Sequence, residues 1–255
     1  MVFPLYDDNA DRQTTPLVNY AIIALNIFVF VVLQGIGSNE QFTYSFSTVP
    51  AEILRGTDIV TPARILEHPI TGQRIEVPGL GPTPGSVYFT LITSMFMHGG
   101  IAHIAGNMLF LWIFGDNIED RLGHVKYVIF YLLCGIIASL AHVFATGVFA
   151  TDQSSLLVPS LGASGAISGV LGGYLLLHPK RRVTVILFRF LTAVPAYVAI
   201  GIWFLFQLIS GLGMLGGGSQ TGGVAYAAHI GGFIAGLVLI KFFDRGSGTR
   251  PAAEY

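Results

Sequence analysis

The sequence predicts an all-α membrane protein, a bundle of six transmembrane helices with both termini on the cytoplasmic side. Three observations carry that reading. Hydrophobic residues make up 53% of the 255 positions and charged residues 11%, with a mean hydropathy of +0.68, whereas soluble domains carry about 25% charge. The apolar residues gather into six runs, at about 17–35, 91–114, 126–149, 162–178, 193–212 and 224–243, on the scale needed to cross a hydrocarbon core of roughly 30 Å. The cationic residues are also unevenly divided. Arg12, Arg121, Lys126, Lys180, Arg181, Arg182, Arg189, Lys241, Arg245 and Arg250 would share one side, and only Arg55, Arg64 and Arg74 the other. Lys and Arg collect on the cytoplasmic side of membrane proteins, which sets the orientation.

Residues 1–16 are polar, with Asp7, Asp8, Asp11 and Arg12, and read as a cytoplasmic tail without the basic start of a signal peptide. The run 17–35 contains no charge and is the first span. Residues 37–86 follow, with Pro50, Pro62, Pro69, Pro78, Pro82 and Pro84; too short and too polar for a separate core, they are expected to form an ordered outer loop against the membrane. The second and third spans come next. The fourth is short and stops at His178-Pro179, before Lys180, Arg181 and Arg182. The stretch 183–191 is apolar but interrupted by Arg189, and reads as an entry to the fifth span. The sixth span completes one domain over 17–243, and 244–255 is a second cytoplasmic tail. A net charge of −1 and the lack of a basic patch with interleaved aromatics argue against a nucleic-acid partner. The single cysteine, Cys134, excludes an internal disulfide framework and reads as core packing.

Polar side chains inside a bilayer are costly and mark function. The stretch 161–177, LGASGAISGVLGGYLLL, sets Ser164 at the head of an apolar run. Below it Gly165, Gly169 and Gly173 recur every four residues, on one helical face. In the sixth span His229 precedes Gly232 and Gly236. Small residues four apart let helices meet backbone to backbone, and facing these two sets would bring His229 to Ser164. A serine hydroxyl becomes a nucleophile when a neighbouring base takes its proton. Alone, Ser164 would read as a helix N-cap and His229 as a packing histidine; together with the glycines they favour a catalytic pair.

In the second span His103 and Asn107 are four apart, on one face. Two side-chain donors beside a serine suit an oxyanion hole, and the backbone N–H of Ser164, at a helix N-terminus, would be a third donor. Without the serine the same pair would serve equally as a helix–helix hydrogen bond. Gly99-Gly100 marks where regular helix should begin, leaving His98 on the approach. The orientation puts Ser164, His229 and the 98–107 cluster at a common depth in the outer half of the bilayer. No Asp or Glu falls within the six runs, so the machinery would be a dyad rather than a triad. The motif lacks the Gly-x-Ser-x-Gly elbow, since Ala166 stands two after Ser164. His98, His103 and His229 bring neither His-Glu-x-x-His nor a carboxylate cluster, so no metal and no cofactor are expected. His142 reads as structural, and no chemistry is attached to His68, His124 or His178.

These residues resemble the rhomboid family of intramembrane serine proteases. The matching pieces are His98-x4-His103-x3-Asn107, Gly162-Ala163-Ser164-Gly165 and Ala228-His229-x2-Gly232-x3-Gly236, with weaker likeness at 116–123 and 195–207. The resemblance covers about 16–243. It implies a rhomboid-type bundle that hydrolyses peptide bonds in or beside transmembrane segments of other proteins, usually single-pass, at a small residue near helix-destabilising ones. Ser164 would be nucleophile, His229 general base, and His103, Asn107 and the Ser164 N–H the oxyanion donors, with His98 supporting the site. Six spans fit the basic prokaryotic form, hence a multi-pass protein of a prokaryotic plasma membrane. Two positions depart from the family pattern. Ser86-Val87 stands where some members carry Trp-Arg before Tyr88-Phe89-Thr90, and Ser168 stands where an aromatic often stacks on the histidine. A hydrogen bond from Ser168 to the histidine would be the alternative.

Hydrolysis also needs water, so the serine should lie at the floor of a cavity open to the outside. Residues 211–223, rich in glycine, would be either a mobile cover for it or a plain connector. The competing readings are a non-catalytic relative that binds transmembrane helices, which typically lacks the serine or histidine present here, and a small transporter, for which there is neither a carboxylate relay nor an inverted repeat. Oligomeric state and substrate identity stay open.

Overall fold

Among the described residues six apolar helices form the bundle, and short strands and helical turns are set around its ends. The computed structural model describes residues 2–67, 74–149, 153–187, 190–215 and 226–244. The chain opens with β1 (Val2–Asp7) and α1 (Leu17–Phe28), which runs on through a wider π turn at Val29–Leu33. The long loop then holds α2 (Glu40–Ser45), α3 (Pro50–Arg55) and a hairpin of β2 (Arg64–Glu67) with β3 (Arg74–Val77). After it come α4 (Thr90–Thr93), α5 (Ile101–Leu122), α6 (His124–Phe149) and α7 (Ser164–Leu177). The chain closes with β4 (Arg182–Leu187), β5 (Phe190–Pro195), α8 (Ala196–Leu215) and α9 (Tyr226–Phe243).

Helices α6 and α9 are each long and apolar enough to cross a bilayer alone. The second expected span is a broken one. Val87–Phe96 and Ile101–Leu122 meet at 80°, because Gly99 and Gly100 lie between them and Gly100 adopts an extended conformation. Regular helix therefore starts at Ile101, directly after the glycine pair where the sequence put it, and runs to Leu122, beyond the expected end of the span at 114. Leu17–Leu33, Ser164–Leu177 and Ala196–Ile209 are shorter apolar helices.

Two stretches differ from the sequence expectation. Residues 1–16, read as a tail, contain β1, and 183–191, read as the start of a span, contains β4. The two pair antiparallel, and β4 pairs with β5, in the order β1-β4-β5. Val183-Thr184-Val185-Ile186 is β-branched throughout, a composition that suits a pleated, half-buried surface. Val183 and Val185 are fully buried and join the main core. Arg189, His68, 216–225 of the glycine-rich stretch and 245–255 of the C-terminal tail lie outside the described residues; 211–215 continue α8.

The main core is built on α7, with Phe114, Tyr127, Phe130, Tyr131 and Tyr174 among its fully buried aromatics. Glycines set how near its neighbours come. A Cβ on Gly232 would lie 2.1 Å from the Gly165 carbonyl oxygen, and one on Gly236 would lie 1.9 Å from that of Gly169. Gly165 and Gly169 also receive Ala138 and Cys134 of α6. Gly173 instead meets the side chains of Ile240 and Phe130, while Gly172 makes the further backbone contact, its Cβ position 2.3 Å from the Phe233 oxygen.

The end where α5 and α7 finish carries the charge. Glu119, fully buried, accepts from the Val18 and Asn19 N–H groups and thereby caps α1 from another helix. Asp116 accepts from Arg12 and Asn9. Arg181 reaches Asn117 and Asp11, and Arg121 pairs with Asp244. At the other end the loop is tied down. Thr48 and Ser160 exchange backbone hydrogen bonds at 2.9 and 2.8 Å, and the Thr48 hydroxyl donates to the Thr90 carbonyl and lies 2.9 Å from the Ser94 hydroxyl.

Candidate active site

α7 begins at Ser164 without a capping side chain, so its first N–H groups, that of Ser164 included, have no partner within the helix. The glycine contacts bring α9 against this end of α7. The consequence is direct: His229 Nε2 lies 2.8 Å from Ser164 Oγ.

The other ring nitrogen of His229, Nδ1, lies 2.9 Å from Oε1 of Gln207 on α8. Trp203, one turn earlier on α8, flanks the imidazole with ring centroids 6.1 Å apart. Ser168 does not take the role the sequence suggested for it. Its hydroxyl donates to the Ser164 carbonyl at 2.7 Å, an ordinary bond one turn back along the helix.

His103 and Asn107 approach from α5, and Gly162 decides how near. Its φ of +122° suits glycine. A Cβ there would lie 2.8 Å from His103 Nε2 and 3.7 Å from Asn107 Nδ2. Gly162 is also held by its own N–H, which donates to the Ser94 carbonyl at 2.8 Å. Both donor atoms therefore converge on the residue two before Ser164. The Gly99 N–H donates to His103 Nδ1 at 3.3 Å, so in the neutral ring the proton sits on Nε2, on the side of Gly162. Asn107 Nδ2 is buried and has no hydrogen-bond partner.

His98 is fully buried, and its ring packs edge-on against His103 at a centroid distance of 5.1 Å. Gln34 grips its backbone, accepting from the His98 N–H and donating to its carbonyl, each at 2.9 Å. Gln34 and Gln207 were not found from the sequence. Each is an uncharged polar residue in or at the end of an apolar run, and a position inside a hydrocarbon-length segment was the available signal. Ser164, His229, His103 and Asn107 thus lie in one group, with His98 behind it. His142 makes no hydrogen bond within that group among the described residues.

The rhomboid domain model matches residues 85–245, more than half of the chain. Rhomboid protein 1, mitochondrial, of Saccharomyces cerevisiae is 32% identical over 149 residues, 58% of this chain and 40% of that protein. Rhomboid protease GluP of Bacillus subtilis is 33% identical over 150 residues, 59% of this chain and 25% of its own. RHOMBOID-like protein 6, mitochondrial, of Arabidopsis thaliana is 25% identical over 244 residues, 90% of this chain and 69% of that one. The chain spans less than half the length of the first two. With its helical, membrane-crossing bundle and the extent of the domain match, it belongs to the rhomboid family.

Proposed function

We propose that this protein is an intramembrane serine endopeptidase that cleaves other membrane proteins in or near their transmembrane segments, using Ser164 and His229. The observation that carries the reading is the 2.8 Å contact between Ser164 Oγ and His229 Nε2. In this mechanism Nε2 accepts the hydroxyl proton as Oγ attacks the scissile carbonyl carbon. The negative charge that forms on the carbonyl oxygen is met by His103 Nε2–H, Asn107 Nδ2–H and the Ser164 N–H. As the C–N bond breaks, the imidazolium returns its proton to the leaving amine. Water then attacks the acyl-enzyme by the same route and frees Ser164.

Depth follows from length. A 14-residue α7 measures about 21 Å at 1.5 Å per residue, against roughly 30 Å for the hydrocarbon core. With its C-terminal end at the cytoplasmic face beside Lys180, Arg181 and Arg182, its first residue lies below the outer surface, where water must enter from outside. Both termini are cytoplasmic in this arrangement. Single-pass proteins are the substrates the family resemblance favours, and a prokaryotic plasma membrane is the proposed location.

The test is cleavage of a single-pass membrane protein by purified enzyme in liposomes, with Ser164→Ala and His229→Ala checked for thermal stability. Loss of cleavage in both, with stability kept, is the expected result. A stable wild type that leaves a panel of such substrates intact would instead point to helix binding without hydrolysis.

A further inference from the structure

We propose that Gln207 is a positioning residue for His229, a neutral amide in the place that a carboxylate occupies in a three-residue serine-hydrolase site. The inference rests on the proteolytic reading above. Gln207 is 7% exposed, and its Oε1 lies 2.9 Å from His229 Nδ1. An amide oxygen can only accept, so Nδ1 carries the ring's proton and Nε2 presents a lone pair to Ser164 Oγ. The opposite tautomer would aim an N–H at the serine and could not take its proton.

The surroundings leave this duty to Gln207. Ser168, the other hydroxyl near the pair, is committed to the Ser164 carbonyl. Trp203 touches the imidazole but offers only an N–H donor. The acidic residues of α5, Asp116, Glu119 and Asp120, are bound to the chain's first residues and α1 at the far end of the bundle. An ionised carboxylate in mid-membrane is costly. A glutamine fixes the tautomer without that charge. Gln207 and Trp203 are four apart on one face of α8, so one helix supplies both the hydrogen bond and the flanking ring.

The test compares Gln207→Leu, Gln207→Met and Gln207→Glu in the full chain, with the thermal midpoint of each as a folding control. Three readouts are taken: kcat and KM, the rate at which a fluorophosphonate labels Ser164, and the 15N shifts of the His229 ring. In the wild type, Nδ1 should show the protonated signature and Nε2 the bare one. Leu and Met remove the acceptor and should lower kcat and labelling by about 10- to 100-fold with KM unchanged, while the ring loses its single tautomer. Glu retains an acceptor and should restore most of both rates. Folded Leu and Met variants with wild-type rates would overturn the inference and leave the proteolytic reading standing, as would a bare Nδ1 in a wild type that still cleaves. A wild type that neither cleaves nor labels, despite a protonated Nδ1, would instead remove the proteolytic reading and this inference with it.

Discussion

The two ends of the bundle handle buried polarity in opposite ways. At the end where α5 and α7 finish, ionised groups are bridged many times over: Asp116 by Arg12 and Asn9, Asp120 by two backbone N–H groups, Glu119 by the start of α1. Around Ser164 the groups are a hydroxyl, imidazoles and amides, and Asn107 Nδ2 and both ring nitrogens of His98 are buried without partners, as are Asp7 Oδ1 and His178 Nε2 at the charged end. A buried donor left unmatched costs about 1–3 kcal/mol. Interactions that stabilise a fold are complete in the resting protein, whereas a donor meant for a transition-state oxygen must wait for it. On the proteolytic reading, Asn107 Nδ2 is such a waiting donor, whereas Glu119 and Asp116 hold the bundle.

The largest expected effect comes from breaking the contact that serves both ends. Gly236→Val would set side-chain atoms 1.9 Å from the Gly169 carbonyl oxygen, against backbone that cannot swing aside. α9 must part from α7, taking His229 from Ser164, so cleavage and the thermal midpoint should fall together. Gly201→Ala on α8, where a Cβ meets nothing within 4 Å, is the matched control and should change neither. A Gly236→Val protein with wild-type stability would show that the helices do not depend on this approach.

A crossed pair sharpens the contrast. Asn107→Ala removes a donor that has no partner at rest, so it should lower kcat by about 10²–10³, the usual cost of losing one oxyanion donor, while stability stays level or rises. Glu119→Ala uncaps α1 and should cost roughly 2–4 kcal/mol of stability, with kcat kept in the fraction that stays folded. Thermal unfolding and single-turnover cleavage on both variants read the result. Destabilisation by Asn107→Ala, or a catalytic loss from Glu119→Ala in folded protein, would blur the two classes into one.

How much of this was legible follows the same physics. Ser164, His229, His103 and Asn107 were visible because polar residues are conspicuous within apolar runs, and their spacing put them on common faces. Gln207 and Gln34 sit among the same apolar residues, but their roles depend on which helix faces them, and that pairing is set by packing distant in sequence. Gly172 escaped the four-residue repeat because α9 crosses α7 rather than following it, so the contact moves from Gly169 to Gly172. β1 and β4 are joined by no local turn, with Phe3 opposite Ile186, and neither strand signals the other. The polar character of residues 1–16 suggested a free tail because its buried partners, Asn117 and Tyr174, lie on helices far along the chain.

The smallest expected effect probes that docked strand. Asp7 is buried, and its Oδ2 accepts from Tyr174 at 2.5 Å and from Asn117 at 2.8 Å. Burial pushes its carboxyl up from 3.8 to about 7; the Tyr174 hydrogen bond and Arg181 oppose the rise, and Asp116 adds to it. A carboxyl raised in the folded state holds its proton more tightly there than in the undocked strand. Its stabilising contribution is then complete below about pH 3.8 and is lost as pH climbs through about 7. β1 should therefore be held less firmly at about pH 8 than at about pH 6. Hydrogen exchange of the β1 amides, corrected for the intrinsic rate at each pH, measures this directly. Asp7→Asn cannot titrate and should flatten the difference while cleavage is unchanged, since Asp7 lies at the far end of α7 from Ser164. Wild-type protection that held or grew toward alkaline pH would mean that the carboxylate is ionised in place, with Arg181 outweighing burial, and the strand would then belong to the same fully bridged cluster as Asp116.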